Sequence, residues 1–289
     1  MDGLVWDSLM LRALLNLGNE HVLRPFDLEL VRRSRVPGQV DAAQQAVTRI
    51  AFFHPPKCGG TSVRKWLASA FGRPAGLDPV AAEAAARNIG VAAASEREAI
   101  LAYFVQRRDT RFICGHFAYS RRAFVDREGD FDLITILRNP LSRVLSRFYH
   151  SGQPDHFPIE GELTDWLQTD HARSAATVFT TMFVGDIERM KRHAGGASNS
   201  DLRDAALQAI DNLMRFTMVG TLEHLGAFEQ AIQQRYGIRT RIGHARSNPS
   251  YLRFAQQPSA VQDRLRELCR EDMMIYEAFA GASPRIRSA

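Results

Sequence analysis

Cysteine is scarce in this sequence. Cys58, Cys114 and Cys269 are its three cysteines, and they are far apart along 289 residues. A sparse, odd set argues against a disulfide framework, which needs paired cysteines, and it lacks the spacing of a zinc site. Such usage is typical of a reducing compartment, so the sequence predicts a cytoplasmic protein.

Long hydrophobic runs are missing as well. No stretch approaches the roughly 18 uncharged apolar residues that a membrane helix needs, so we expect no integral membrane segment. The first residues have an apolar face but include Asp2, Asp7 and Arg12. They lack the basic start and the small-residue cleavage site of a signal peptide. Contact of this first helix with a membrane surface stays open.

Runs of basic residues are also short, although the formal net charge is +5. Without a basic arm or a nucleic-acid motif, this charge indicates a mildly basic enzyme surface, and we expect no nucleic-acid partner. The hydrophobic content of 45% is that of a folded globular protein. The length suffices for one large domain or two small ones, and leaves the oligomeric state open.

Short apolar runs alternate with segments of helical spacing. The predicted strands are 49–54, 111–117, 131–137 and 215–220, and a long helix over 258–280 closes the chain. This alternation predicts an α/β fold with a parallel sheet covered by helices on both faces. We expect a single domain over 1–289. It has an N-terminal helical extension (1–48) and a core (49–289) with helical insertions for the acceptor at about 76–109 and 151–215.

The segment HPPKCGGTS connects the first predicted strand to the next helix. Two adjacent glycines, Gly59 and Gly60, let the backbone turn tightly and approach a ligand closely. Thr61 and Ser62 come where the helix begins, so their hydroxyls can cap it while its free N–H groups face the loop. With the ammonium of Lys57, these groups predict an anion site. The order differs from G-x-x-x-x-G-K-[ST], which disfavours ATP or GTP hydrolysis.

A second motif, RNPLSRVLSRFYH, follows the third predicted strand. Arg138 comes directly after that strand, Asn139 is a plausible N-cap, and Pro140 suits the first helical position. Ser146 is about two turns into the helix. Ligands of parallel α/β sheets bind at the carboxyl ends of the strands, and both motifs follow such ends. The two motifs therefore predict one shared site.

Both motifs resemble those of sulfotransferases that use 3′-phosphoadenosine 5′-phosphosulfate (PAPS). The first resembles the 5′-phosphosulfate loop, H-x-P-K-T-G-G-T-S, with Cys58 in place of the commoner Thr. The second resembles the 3′-phosphate motif, R-[DN]-P-x-x-R-x-x-S-x-[YF]. The similarity is greatest to the branch with heparan-sulfate 2-O-sulfotransferases and bacterial carbohydrate sulfotransferases. It covers residues 49–150 well and extends loosely to 216–229.

The resemblance implies a P-loop-like sheet that binds PAPS and releases adenosine 3′,5′-bisphosphate. The residues it implies for binding the donor are Lys57, Cys58, Gly59, Gly60, Thr61, Ser62, Arg138 and Ser146. Arg138 would grip the 3′-phosphate through a forked charge-assisted contact, and Ser146 through its hydroxyl.

Sulfonate transfer needs a cation at the leaving oxygen and a base at the acceptor hydroxyl. We expect Lys57 to be that cation. The transferred sulfonate carries less charge than a terminal phosphate, so no metal is expected. In the 2-O-sulfotransferase branch a Gly-His after the second strand supplies the base, which Gly115-His116 resembles. His54 ends the first strand and is expected to orient the loop rather than to act as the base.

The acceptor is not identified by any residue pattern. A carbohydrate hydroxyl is the first expectation, ahead of a tyrosyl peptide, a lipid or a small secondary metabolite. Two other classes stay open: a P-loop-type kinase, which would need Mg²⁺ and the missing Gly-Lys-Ser/Thr order, and a non-catalytic nucleotide or glycan binder.

Several further residues have weaker sequence evidence for a role at the site. Arg143 and Arg147 are four apart on one helix face, which is typical of a solvated basic surface. Trp66 and Trp166 fall on helical periodicity, so core packing is favoured over sugar stacking. The residues that could border the nucleotide or the acceptor are His150, His156, Arg241, Arg246 and Asn248.

Overall fold

The structure is a computed structural model. It describes residues 49–76, 84–88, 90, 93–125, 127, 129–149, 159, 161–185, 199–243 and 253–287. These residues all belong to one compact unit, Gln39–Ala289. The N-terminal extension predicted over 1–48 lies outside the described residues, as do His150, His156, Arg246 and Asn248.

Five strands form one mostly parallel sheet in the order β2-β1-β3-β4-β5. The strands are β1 (Arg49–Phe53), β2 (Phe112–Gly115), β3 (Phe131–Leu137), β4 (Met218–Thr221) and β5 (Arg285–Ile286). The first four run parallel to one another, whereas β5 pairs antiparallel with β4. Strands β1 and β4 are almost entirely buried, which explains their apolar sequences. The predicted α/β class is confirmed, with the sheet flanked by helices.

Helices connect and flank these strands. They are α1 (Gly60–Phe71), α2 (Ala93–Gln106), α3 (Arg121–Phe124), α4 (Pro140–Tyr149), α5 (Leu163–Trp166), α6 (Asp170–Ala176), α7 (Val178–Phe183), α8 (Asn199–Leu213), α9 (Leu225–Tyr236), α10 (Ser259–Leu268) and α11 (Arg270–Glu277). Helices thus occupy the described parts of both predicted insertions. Within the residues that the structure describes, no helix is long and apolar enough to cross a membrane.

Two boundaries differ from the sequence prediction. The fourth strand begins at Met218 rather than at residue 215, because Arg215 and Phe216 still donate their N–H groups to carbonyls at the end of α8. The predicted long terminal helix is two helices, α10 and α11, separated at Cys269, whose φ of −93° and ψ of 9° leave the helical region.

The core consists of two hydrophobic clusters. The larger surrounds the sheet and includes Phe52, Phe53 and Ile134, and the smaller joins α4, α5, α6 and α10 around Trp166. Trp66 and Trp166 are both buried, which confirms the core-packing interpretation. All three cysteines are free and buried.

Candidate active site

The carboxyl ends of β1 to β4 lie at one edge of the sheet, since these strands are parallel. From β1 the chain crosses to β2 on one side, and it later returns to β3 on the other. The order of strands therefore reverses between β1 and β3, and in open α/β sheets ligands bind in the crevice at such a reversal. The hydroxyl of Thr135 on β3 donates to the Phe53 carbonyl on β1 at 2.8 Å, which fixes the two strand ends together.

The first loop leaves β1 and enters α1 through two residues with left-handed backbone. Lys57 has a φ of 68°, and among the described residues it is the one non-glycine with positive φ. Gly59, with a φ of 74°, is the N-cap of α1. A Cβ on Gly59 would also lie 2.7 Å from Cδ1 of Leu222, which follows β4. The positive φ of Lys57 is strained for a residue with a Cβ, and such strain is concentrated at ligand sites, where surrounding contacts hold it.

The predicted cap of this helix is wrong. Helix α1 begins at Gly60, and its N-cap Gly59 provides no side-chain cap, so Thr61 and Ser62 belong to the first helical turn. The Ser62 N–H donates to the Gly59 carbonyl at 3.2 Å. Thr61 is exposed and Ser62 is half-buried. Because the N-cap is a glycine, no capping side chain occupies the first amides of α1.

Cys58 points its side chain into the protein. It is fully buried in the larger core cluster, and burial raises the pKa of its thiol to about 12. Its N–H donates to the Pro55 carbonyl at 3.4 Å. The cysteine side chain thus fills a core position. The donor-binding role implied for Cys58 stays a prediction.

The second motif starts beside the first loop. Nη1 of Arg138 donates to the backbone carbonyl of Lys57 at 3.0 Å. Asn139 is the N-cap of α4, as predicted, because its Oδ1 accepts from the Ser142 N–H at 3.2 Å. Ser146, two turns further along α4, is buried with 6% of its surface exposed. The structure therefore brings Lys57 and Arg138 into direct contact and positions Ser146 on the helix that Arg138 precedes.

Positive charges crowd this loop. The pKa of Lys57 is lowered to about 8, first by burial and then by the charges of Arg147 and Arg138. Burial also lowers the pKa of Arg147, whose Nη2 lies 3.5 Å from Nε2 of His171 on α6. The charges of Arg147 and Arg138 thus disfavour the ammonium of Lys57, and an anionic ligand between these side chains would relieve that repulsion.

Arg143 differs from Arg147, so the solvated basic face predicted for this pair is wrong. Only 1% of the Arg143 side chain is exposed, and its Nη2 lies 3.3 Å from Oδ2 of Asp272 on α11. Asp272 also accepts from the N–H groups of Phe179 and Thr180 on α7, both at 2.9 Å. Arg143 is thus part of a buried ion pair that joins α4, α7 and α11.

His116 follows β2 at the same edge of the sheet. Its Nδ1 lies 2.6 Å from the carbonyl oxygen of His54. A carbonyl can only accept, so neutral His116 donates through Nδ1–H and carries its lone pair on Nε2. Burial lowers its pKa, opposed by the hydrogen bond to His54 and reinforced by the charges of Arg97 and Arg64. Neutral His116 therefore presents an unprotonated Nε2 that can accept a proton.

His54 connects the first loop to His116. Its ring lies 4.3 Å from the His116 ring, centroid to centroid, with an interplanar angle of 32°. Burial, followed by the charges of His116 and Arg64, lowers the pKa of His54 to about 3, so its imidazole is neutral. A Cβ on Gly60 would lie 1.6 Å from Cδ2 of His54, so the glycine at this position leaves the space that the His54 ring occupies. The expectation that His54 orients the loop agrees with these contacts.

Glu223 is a site residue that the sequence reasoning missed. It follows β4, and its Oε1 accepts from the backbone N–H of Asn139 at 2.9 Å. The signal was present, since an acidic residue three positions after a predicted strand lies at the same edge as the two motifs. Of the weaker candidates, Arg241 is described, and it is exposed in the segment after α9.

No protein-family model matches the chain, and no curated protein matches it at a significant level. Among the described residues, no group of three or more histidine, cysteine, aspartate or glutamate side chains could hold a metal ion.

Proposed function

We propose that this protein is a sulfotransferase that moves the sulfonate of PAPS to a hydroxyl group of an acceptor, with a carbohydrate as the first candidate. The observation that carries the proposal is the hydrogen bond between Arg138 and the Lys57 carbonyl at the β1/β3 reversal. It joins a loop suited to one anionic group and a guanidinium suited to a second. A donor with phosphate groups at both ends of a nucleoside presents that charge distribution.

The first loop would hold the phosphosulfate end of the donor. The amides at the start of α1, the hydroxyl of Thr61 and the ammonium of Lys57 are its available donors. Arg138 would hold the 3′-phosphate through a forked contact, assisted by Ser146. The sulfonate on the donor supplies the group that is transferred. Lys57 stabilises the charge that develops on the phosphate oxygen when the S–O bond breaks.

His116 would remove the proton from the acceptor. Its Nδ1–H is held by the His54 carbonyl, so Nε2 accepts the hydroxyl proton while the oxygen forms its bond to sulfur. A lowered pKa keeps this imidazole neutral and ready to accept a proton at neutral pH. The proposal includes a P-loop-like strand–loop–helix at β1 and α1, and it includes no metal, because a sulfonate carries less charge than a terminal phosphate.

A transfer assay tests the proposal. The full chain is incubated with isotopically labelled PAPS in EDTA with a panel of glycans, tyrosyl peptides and lipids, and mass spectrometry scores the added sulfonate. We expect one acceptor class to gain label together with release of adenosine 3′,5′-bisphosphate. Lys57→Ala and His116→Gln should abolish label incorporation, whereas Lys65→Ala, an exposed lysine on α1, should not.

Two other outcomes would replace the proposal. Binding of the bisphosphate with no transfer to any acceptor, unchanged by His116→Gln, would indicate a non-catalytic binder. Consumption of ATP in the presence of Mg²⁺, with no effect of PAPS, would indicate a phosphoryl-transfer enzyme.

A further inference from the structure

A second cleft lies at the opposite edge of the sheet, near the amino ends of β3 and β4. Its volume is about 380 Å³, and Phe131 and Thr217 form part of its lining. The seven residues of β3 separate it from Arg138, a distance of roughly 20 Å at the rise of a strand. It is therefore distinct from the crevice that contains Lys57.

Guanidinium groups dominate this cleft. Five arginines line it, and they come from four separate parts of the chain: Arg121 with Arg127, Arg215, Arg235 and Arg287. Separate elements thus converge on one concave surface, unlike the single run of a solvated basic helix face. Two of them remain accessible, since 47% of the Arg121 side chain is exposed and Arg287 is exposed.

Among the described lining residues, Asp132 is the one carboxylate that faces these arginines, and its oxygens already accept hydrogen bonds. Asp132 accepts from Nε and Nη2 of Arg235, both at 3.1 Å. It also accepts from the Tyr236 hydroxyl at 2.8 Å and from the Thr217 hydroxyl at 3.0 Å. Asp132 therefore neutralises Arg235 and fixes its position, and it has little capacity left for the other four guanidiniums.

Two other ion pairs border the cleft, and both are accessible to solvent. Nη1 of Arg127 lies 3.3 Å from Oδ2 of Asp130, and their side chains are 32% and 42% exposed. Arg121 lies 4.0 Å from Asp211, at the limit of an ion pair, and both side chains are largely exposed. Arg287 uses Nη1 for the backbone carbonyl of Arg215 at 3.1 Å, a contact that orients the guanidinium without cancelling its charge. The described lining of the cleft thus carries more positive than negative charge.

We propose that this cleft is a binding site for a small polyanion that carries phosphate or sulfate groups. Guanidinium forks match the oxygens of both groups and bind them through paired, charge-assisted hydrogen bonds. A volume of about 380 Å³ accommodates a ligand of small-molecule size. The site does not depend on the function proposed for the opposite edge, and it would act as a second anion site on the same protein.

Isothermal titration calorimetry of the full chain tests this site with two probes, inorganic triphosphate and sucrose octasulfate, in about 0.15 M salt to screen weak surface attraction. We expect at least one probe to bind to the wild type, and we expect a binding event with the same affinity to persist in Lys57→Ala. Arg121→Ser/Arg287→Ser should weaken that binding by about tenfold or more, as loss of two charge-assisted contacts predicts. Arg173→Ser, an exposed arginine on α6, is the matched control.

The two probes distinguish phosphate from sulfate ligands, and preference for either supports the site. Equal affinity of the double variant and the Arg173→Ser control would overturn it. Loss of binding in Lys57→Ala would also overturn it, because the anion would then occupy the first crevice. If the double variant does not fold, phenylglyoxal footprinting of the wild type decides, since the bound probe should protect Arg121 and Arg287 but not Arg173.

Discussion

Arg138 reaches across the β1/β3 crevice and donates a hydrogen bond from Nη1 to the backbone carbonyl of Lys57 at 3.0 Å. The contact joins two motifs that are 81 residues apart in the chain. It also holds Lys57 in its left-handed conformation, with a φ of 68°. A side chain proposed for the 3′-phosphate thus sets the geometry of the loop proposed for the phosphosulfate, so the two ends of the donor would be recognised by one connected unit.

Lys57→Ala and Arg138→Ala are expected to differ in kinetics. Lys57→Ala should lower kcat by about 10²- to 10³-fold, as removal of a charge-stabilising donor does, and should change bisphosphate affinity less. Arg138→Ala should weaken bisphosphate binding by about tenfold or more and also lower kcat, because the Lys57 carbonyl loses its partner. Steady-state kinetics and calorimetry separate the two effects. Negligible effects of both substitutions would mean that the site lies elsewhere, and Lys65→Ala is the control.

Gly60→Ala should disturb the base without touching the ligand groups. The added Cβ would lie 1.6 Å from Cδ2 of His54, so the His54 ring must move, and the His116 ring that contacts it at 4.3 Å must adjust. We expect a loss of about 1–3 kcal/mol in the free energy of unfolding, together with a lower kcat. Urea unfolding and kinetics measure these.

Gly226→Ala on α9 is the matched control, since the added Cβ would meet no described atom within 4 Å beyond its chain neighbours and its own helix backbone. It should be neutral or stabilising by up to about 1 kcal/mol. A Gly60→Ala protein with the stability and kcat of Gly226→Ala would contradict the packing described here.

The pH dependence of kcat/KM should report His116. A general base acts when neutral, and burial lowers the pKa of His116, so activity should persist below the usual histidine pKa of about 6.5 and fall only at lower pH. Arg97 and Arg64 lower this pKa further. Arg97→Gln and Arg64→Gln should therefore shift the acid limb of the profile to higher pH, while Lys65→Gln should not. An acid limb that survives His116→Gln would exclude this residue as the base.

The buried Arg143–Asp272 pair should matter for folding rather than for chemistry. Asp272→Ala leaves the Arg143 guanidinium buried without its carboxylate, which should cost about 3–5 kcal/mol in the free energy of unfolding. Replacement of both residues by apolar ones, Arg143→Met with Asp272→Leu, should recover much of this loss. Urea denaturation measures both, and a double variant no more stable than Asp272→Ala would contradict a pairwise origin.

Local sequence patterns predicted the structural features that depend on residues close together in the chain. The apolar runs predicted β1 and β3 because a buried parallel strand needs apolar side chains on both faces. Asn139 was predicted as an N-cap because capping depends on the residues that follow it directly. The positions of Lys57 and Arg138 at one edge followed from strand direction alone.

Contacts between distant segments could not be predicted in this way. Asp272 pairs with Arg143 across 129 residues, so helical spacing alone indicated a solvated arginine. The tautomer of His116 depends on a carbonyl 62 residues away. The buried thiol of Cys58 likewise reflects tertiary packing, whereas its position in a recognisable loop indicated a ligand contact.

The most direct measurement of the central claim is calorimetric titration with adenosine 3′,5′-bisphosphate in EDTA, beside a titration with ATP and Mg²⁺. The account predicts one bisphosphate bound per chain without metal, weakened by about tenfold or more in Arg138→Ala and unchanged in Lys65→Ala. Binding of ATP with Mg²⁺ and no binding of the bisphosphate would contradict it.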